Sequence, residues 1–278
     1  MNSGNTEPGV QFLLSLIDPG DAAAVRERLG IGVPVPVDDE QAGWRLDRLG
    51  APRAVLLWML ERDDPDTNRV VFHRDRVDDA LKRDILRGLP FGSAAGPLPV
   101  RVNCGLQWCS HREPHIPASG RGLIGGLREA RTMGAARVAA RAVSRPDWAA
   151  VAEADRAEPL PGFARWALGE RIDCPPELRA QFGSHPKFVN RLRNAGIVEP
   201  RDYVERGRPP RDVLAVLHFG TQLFPHRVGE AAAVLAPSVR SELGTNLDAW
   251  AVLARLLRTF AGTVPELVAT CGAIARGE

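Results

Sequence analysis

Residues 247–260 read LDAWAVLARLLRTF. Leu247, Trp250, Leu253, Ala254, Leu257 and Phe260 recur every three or four positions, while Arg255 and Arg258 fall off that stripe. This is the helical period, and it predicts an amphipathic helix that buries the stripe. Strand signals are sparse by contrast, with one Tyr, few Thr and little period-two alternation. The prolines point the same way. They open DDPDTNRVVF (63–72), SRPDWAAVAEA (144–154), CPPELRAQF (174–182) and TVPELVATCGAIA (263–275) just behind a residue that can cap. Proline in a first turn gives up an N–H that had no intrahelical partner, so it starts helices here. Ser144 and Thr263, each followed three positions later by an acid, have the capping-box spacing. Gly88, Gly169, Gly183, Gly196, Gly220 and Gly262 are read as helix ends.

A succession of short helices with no strand pattern between them predicts a mainly α fold of stacked helical hairpins, α-solenoid-like, with a Gly/Pro-rich irregular segment near the middle. Two stretches share an order. MLERDDPDTNRVVFHRDRVDDALKRDILRG (59–88) and LGERIDCPPELRAQFGSHPKFVNRLRNAG (168–196) each run from a helix end with Arg through an acid-Pro or Cys-Pro cap and a short helix. A His-containing turn and an Arg-rich helix closed by Gly follow. On these residues the chain resembles α-helical repeat proteins, HEAT-like and especially leucine-rich-repeat-variant arrays, over about 51–88 and 136–200. The resemblance implies an architecture and a binding surface for a partner, and it carries no catalytic residues.

Helical regions over 1–88 and 128–278 are expected to flank a connector, 89–127, that contains one short strand-like run, PVRVNC. The 278 residues are enough for a real core, and 44% apolar with 25% charged residues is ordinary globular composition. Net charge is +2, so no global field draws the chain to nucleic acid or membranes. Lys82 and Lys187 are the only lysines, an arginine bias that a GC-rich bacterial genome explains. The apolar run FLLSLI near the N-terminus is too short for a signal-peptide core or a membrane span. A cytoplasmic protein with reduced thiols is expected, so the four cysteines do not suggest a disulfide framework.

The connector holds CGLQWCSHREPH (104–115), two cysteines and two histidines in twelve residues. Cys104, Cys109, His111 and His115 have the donor types zinc takes in a tetrahedron. Their spacing, C-x4-C-x-H-x3-H, weighs against a four-ligand site, because one residue between the pairs leaves little chain for the metal to organise. A site using part of this set and completed by a distant residue is one alternative. The other is a buried Cys104, a packed Trp108 and histidines on a polar loop. Further on, Gly120, Gly122 and Gly125 match G-x-G-x-x-G, but the preceding EPHIPA makes a poor strand, so a flexible loop explains them better than a dinucleotide site.

Arg121, Arg128, Arg131, Arg137, Arg141 and Arg145 face only Glu129 in the same stretch. Arg137, Arg141 and Arg145 at i, i+4 and i+8 would share one helix face, the layout of a phosphate-contacting surface. A solvated face paired with acids such as Glu153, Asp155 and Glu158 is the favoured explanation. His73 and His185 occupy matching turns and read as structural. No Ser-His-Asp order, H-E-x-x-H or phosphate loop occurs. The expectation is a non-enzymatic interaction or regulatory scaffold for a protein partner. The alternative is a nucleic-acid-binding protein using the arginine-rich helix beside a zinc loop.

Overall fold

A computed structural model describes residues 8–33, 37–105 and 109–278; Trp108 lies outside them. The described chain is mainly α. The helices are α1 (Pro8–Leu14), α2 (Pro19–Leu29), α3 (Asp39–Arg48), α4 (Ala54–Leu60), α5 (Pro65–Phe72) and α6 (Asp79–Leu86). Then come α7 (Gly122–Glu129), α8 (Met133–Ala142), α9 (Trp148–Ala157), α10 (Gly162–Gly169), α11 (Pro176–Phe182) and α12 (Pro186–Asn194). The chain ends with α13 (Pro200–Arg206), α14 (Pro210–Leu223), α15 (Pro225–Glu242), α16 (Leu247–Leu256) and α17 (Val264–Arg276). No strand forms among the described residues, and PVRVNC runs as irregular backbone. Among the described residues, no helix is long and apolar enough to cross a membrane.

The helix starts follow the capping chemistry. The Asp64 carboxylate accepts from the Thr67 amide at 2.8 Å, ahead of Pro65. Thr263 and Glu266 form the expected capping box at α17, and Ser144 with Asp147 forms one over the 3-10 turn Arg145–Asp147 that leads into α9. Cys174 departs from the pattern. It is buried in an apolar cluster, and α11 opens at Pro175 with no side-chain cap. Gly220 departs too, lying inside α14. The Phe224 ring packs so closely that a Cβ there would sit 2.3 Å from it, so the glycine serves packing instead of a helix stop.

The chain forms two compact units. One unit takes Met1–Ala51 with Val198–Glu278. In it α1 packs on α14, α14 on α3 and α15, and α16 on α17. Trp250 and Leu253 of the 247–260 stripe are fully buried, and the Trp250 indole donates to the Gly244 carbonyl at 3.0 Å.

The second unit is Pro52–Ile197. Here α8 packs on α10, with Ala136 and Ala140 against Ala164 and Ala167 in the buried core, small residues that allow close helix approach. Two buried arginines close the C-terminal end of α8. Arg83 donates to the carbonyls of Arg141 and Ala142 at 3.2 Å and of Val143 at 2.8 Å. Arg171 donates to Ala140 at 2.7 Å and also to Val143. These are the carbonyls a helix end leaves without partners, at the negative end of its dipole. Asp84 and Asp173 balance the two guanidiniums at 2.8 and 2.7 Å. Burial pushes the Asp84 carboxyl up against the pull of Arg83.

The described residues between 89 and 121 are mostly irregular but tied down. Asp63, in a left-handed backbone conformation, accepts from the amides of Phe91, Gly92 and Ala94 at 2.7–2.9 Å. A side chain at Gly92 would meet the Glu61 carbonyl oxygen at 2.1 Å, so the two backbones touch there. The Leu98 amide donates to the Gly88 carbonyl at 2.8 Å, and Val102 is buried. This route returns the connector to the end of α5.

Candidate metal centre

Helix α5 ends at His73, its C-cap. The ring Nε2 lies 2.8 Å from the Val102 carbonyl oxygen. A carbonyl only accepts, so Nε2 carries the hydrogen and Nδ1 keeps its lone pair. That lone pair faces the Cys109 sulfur at 3.4 Å. Across the cluster, the Cys104 amide donates to His111 Nε2 at 3.3 Å, which leaves that nitrogen unprotonated, and the Cys104 sulfur lies 3.3 Å from the same atom. Both imidazoles therefore place an unprotonated nitrogen beside a sulfur, with His111 Nε2 shared with the Cys104 amide. The donor atoms of His73, Cys104, Cys109 and His111 all lie within 4.8 Å of one another.

Local backbone explains how the short loop supplies three of these groups. The Asn103 side chain accepts from the Gly105 amide at 2.9 Å, and Gly105 turns the chain with φ +70° directly after Cys104. Phe72 meets His73 edge-on at a centroid separation of 5.2 Å and stacks on His111 at 6.5 Å, a hydrophobic flank for both rings. Burial pushes the Cys109 thiol up, and the adjoining Cys104 sulfur pushes it the same way. A cation among the four donors would reverse that, since metal coordination favours the thiolate. The His73 N–H on a backbone carbonyl is the supporting bond that metal-ligating histidines ordinarily make. A metal ion could be held by this set.

Three of the four residues read from the sequence, Cys104, Cys109 and His111, are thus brought together. His115 is not among them. It lines a separate cavity of about 460 Å³ with Arg83, Arg87, Glu113 and Asp147. The fourth donor is His73, 31 positions before Cys104 and read from sequence as a structural turn residue. Its match with His185 obscured it: His185 caps α12 by accepting from the Lys187 amide at 3.2 Å. The other two cysteines stand apart from this chemistry. Both are buried, and burial raises the Cys174 thiol to about 12 and that of Cys271 to about 11.

The six arginines lie mostly against acids. Arg121 pairs with Glu129 and Arg128 with Glu158. Arg137 reaches Glu170 at 3.2 Å, and Arg141 reaches Asp79 at 3.9 Å. Arg131 is exposed in the turn between α7 and α8. Arg145 falls beyond the end of α8, so the three-residue stripe is broken, and its guanidinium donates to the Phe91 carbonyl at 3.0 Å over the Phe91 ring. Gly122 begins α7 and Gly125 lies within it. With no strand before them among the described residues, the dinucleotide pattern is not met.

Fold and site together define a mainly α-helical protein with a two-sulfur, two-nitrogen donor cluster. No protein-family model matches the chain, and no curated protein or solved structure matches it significantly.

Proposed function

We propose that this is a non-enzymatic α-helical scaffold whose central segment is clamped to α5 by a structural zinc ion. The observation that carries the reading is the His73–Cys104–Cys109–His111 cluster with both imidazoles in the ligand tautomer. Zinc bonds of about 2.3 Å to sulfur and about 2.0–2.1 Å to nitrogen imply ligand–ligand edges of roughly 3.3–3.8 Å in a tetrahedron. The two sulfur–nitrogen contacts, at 3.3 and 3.4 Å, sit at the short end of that range. Two sulfurs and two imidazoles suit zinc better than magnesium or calcium, which take oxygen. Four protein donors leave no open position for substrate, which favours a structural role over a catalytic one.

A protein is the partner class this reading favours. Beside the clamped segment runs an apolar groove of about 350 Å³ lined by Pro117, Ala118, Leu123, Ala130, Val138 and Ala139, with Val138 half exposed. The repeat-like order of the hairpins at 59–88 and 168–196 supports a helical-array scaffold of the leucine-rich-repeat-variant kind. Nucleic acid is the weaker alternative, because Arg121, Arg128, Arg137 and Arg141 already meet carboxylates. A reducing, cytoplasmic setting fits thiols kept available to metal.

Metal analysis of protein purified without chelators tests the zinc. The expected result is close to one equivalent, with cobalt substitution giving the visible bands of a tetrahedral thiolate site. A fully folded protein that neither carries nor takes up metal would overturn the reading. For the groove, Val138→Asp is expected to abolish capture of a partner that the parent protein retains, at unchanged thermal stability.

A further inference from the structure

We propose that Cys104 and Cys109 form a site of reversible oxidation by hydroperoxides, and that closing their disulfide ejects the metal and unties the stretch holding Cys109 and His111 from α5. The inference rests on the zinc reading above and goes beyond it by assigning the clamp a release reaction.

Three observations carry it. The two sulfurs lie within the 4.8 Å cluster, so they reach each other with little backbone movement. Both residues are only partly buried, while Cys174 and Cys271 are 1% and 0% exposed and are not among the four clustered donors. Oxidant entering from solvent therefore meets this pair first, and each sulfur has its resolving partner beside it. Finally, the pair supplies half of the donors. The remaining two, His73 and His111, are too few to hold zinc in a closed tetrahedral site.

The chemistry balances with hydrogen peroxide as the oxidant. One thiolate attacks the O–O bond. A sulfur–oxygen bond forms, hydroxide leaves, and the sulfur is oxidised by two electrons to a sulfenic acid. The second thiolate attacks that sulfur, the S–S bond forms, and a second hydroxide departs. Two protons from solvent convert both hydroxides to water, so two thiolates, one peroxide and two protons give one disulfide and two waters. A dithiol reverses the reaction by exchange.

The structural consequence is local. Val102 stays buried and Arg87 keeps its pair with Glu113, so the connector remains attached upstream and downstream of the cluster. What is lost is the metal-mediated tie of Cys109 and His111 to His73. Arg112, exposed beside His111, lies in the freed stretch.

The experiment uses the zinc-loaded full chain treated with a small excess of hydrogen peroxide in the presence of a chromophoric zinc chelator. The expected outcome is release of about one zinc for each two thiols lost. The tryptic peptide spanning 102–112 should escape alkylation and be lighter by two hydrogens. Cleavage after Arg112 should be several-fold faster in the oxidised protein, and dithiol plus zinc should restore the slow rate. Two results overturn the inference while leaving the zinc reading intact: zinc that stays bound under peroxide, or zinc released with Cys104 and Cys109 still alkylatable. A chain that never binds zinc overturns both.

Discussion

The hairpins at 59–88 and 168–196 share an order of proline-led short helix, His turn and second helix, yet different groups close them. In the first, the turn histidine faces inward, gives its N–H to Val102 and turns Nδ1 to the Cys109 sulfur. In the second, the histidine merely caps α12, and arginine does the closing. Arg179 donates to the carbonyls of Gly169, Arg171 and Ile172, while Arg171 ties Asp173 to the end of α8. One hairpin carries a donor set that could hold an exchangeable ion. The other is held by charges that cannot leave. The same local sequence order thus leaves the means of closure to what lies elsewhere in the chain.

The arginine-closed hairpin should be the more fragile to mutation. Arg171→Met leaves the buried Asp173 carboxylate without its cation and removes the guanidinium donors from the Ala140 and Val143 carbonyls. Removing one member of a buried pair costs about 3–5 kcal/mol. Chemical denaturation should show an unfolding free energy lower by that amount, and an unchanged midpoint would mean that the network does not hold α8.

On the zinc reading, the His73 hairpin should respond to an ion instead. Free zinc at about 100 times its dissociation constant should stabilise the parent protein by ~2.7 kcal/mol. His73→Ala should lose this response, and chelator should bring the two proteins close together. Thermal melts with and without zinc read the difference directly. An equal zinc response in both would remove His73 from the site.

How much of this contrast the amino-acid order reveals depends on range. The helix starts at Pro65, Pro265 and Ser144-Arg145-Pro146-Asp147 are local, since a cap and its amide lie three residues apart, and the structure has them where the pattern puts them. Cys104, Cys109 and His111 share one short loop and were legible as a group. His73 was not, because its selection depends on Asp63 and Val102 steering the connector back to α5. Gly220 looked like a stop signal and is a contact for Phe224. Arg145 continued the spacing of a helix that the Ser144 capping box had already ended.

A further contrast is electrostatic. Asp155 on α9 accepts from Arg165 Nε at 2.8 Å, from the Leu160 amide at 2.9 Å and from Gln181 of α11 at 2.8 Å. Burial raises its carboxyl, but the bonds to Arg165, Leu160 and Gln181 outweigh it and hold the group below its ordinary 3.8. A depressed folded value means that the stabilisation is present above the unfolded value and is lost as pH falls through the folded one. Asp155→Asn should therefore cost roughly 2 kcal/mol at neutral pH. The gap to the parent should close below about pH 4. A gap constant across that window would show that shape, not charge, anchors α11.

The smallest effect belongs to His185, and it tests the comparison most directly. Its side chain satisfies one amide at an exposed helix start, and Pro186 already supplies the backbone angle of the first turn. His185→Ala should cost no more than about 0.5–1 kcal/mol, as for loss of a cap. Zinc binding should be unchanged, whereas His73→Ala at the matching position of the other hairpin should abolish it. Measured side by side, equal effects on metal and stability would mean that the two turns are interchangeable. A stability loss without metal loss at 185, and metal loss at 73, would show that one repeated turn performs two different tasks. The difference would then come from the direction of a single imidazole nitrogen, set at His73 by the Val102 carbonyl.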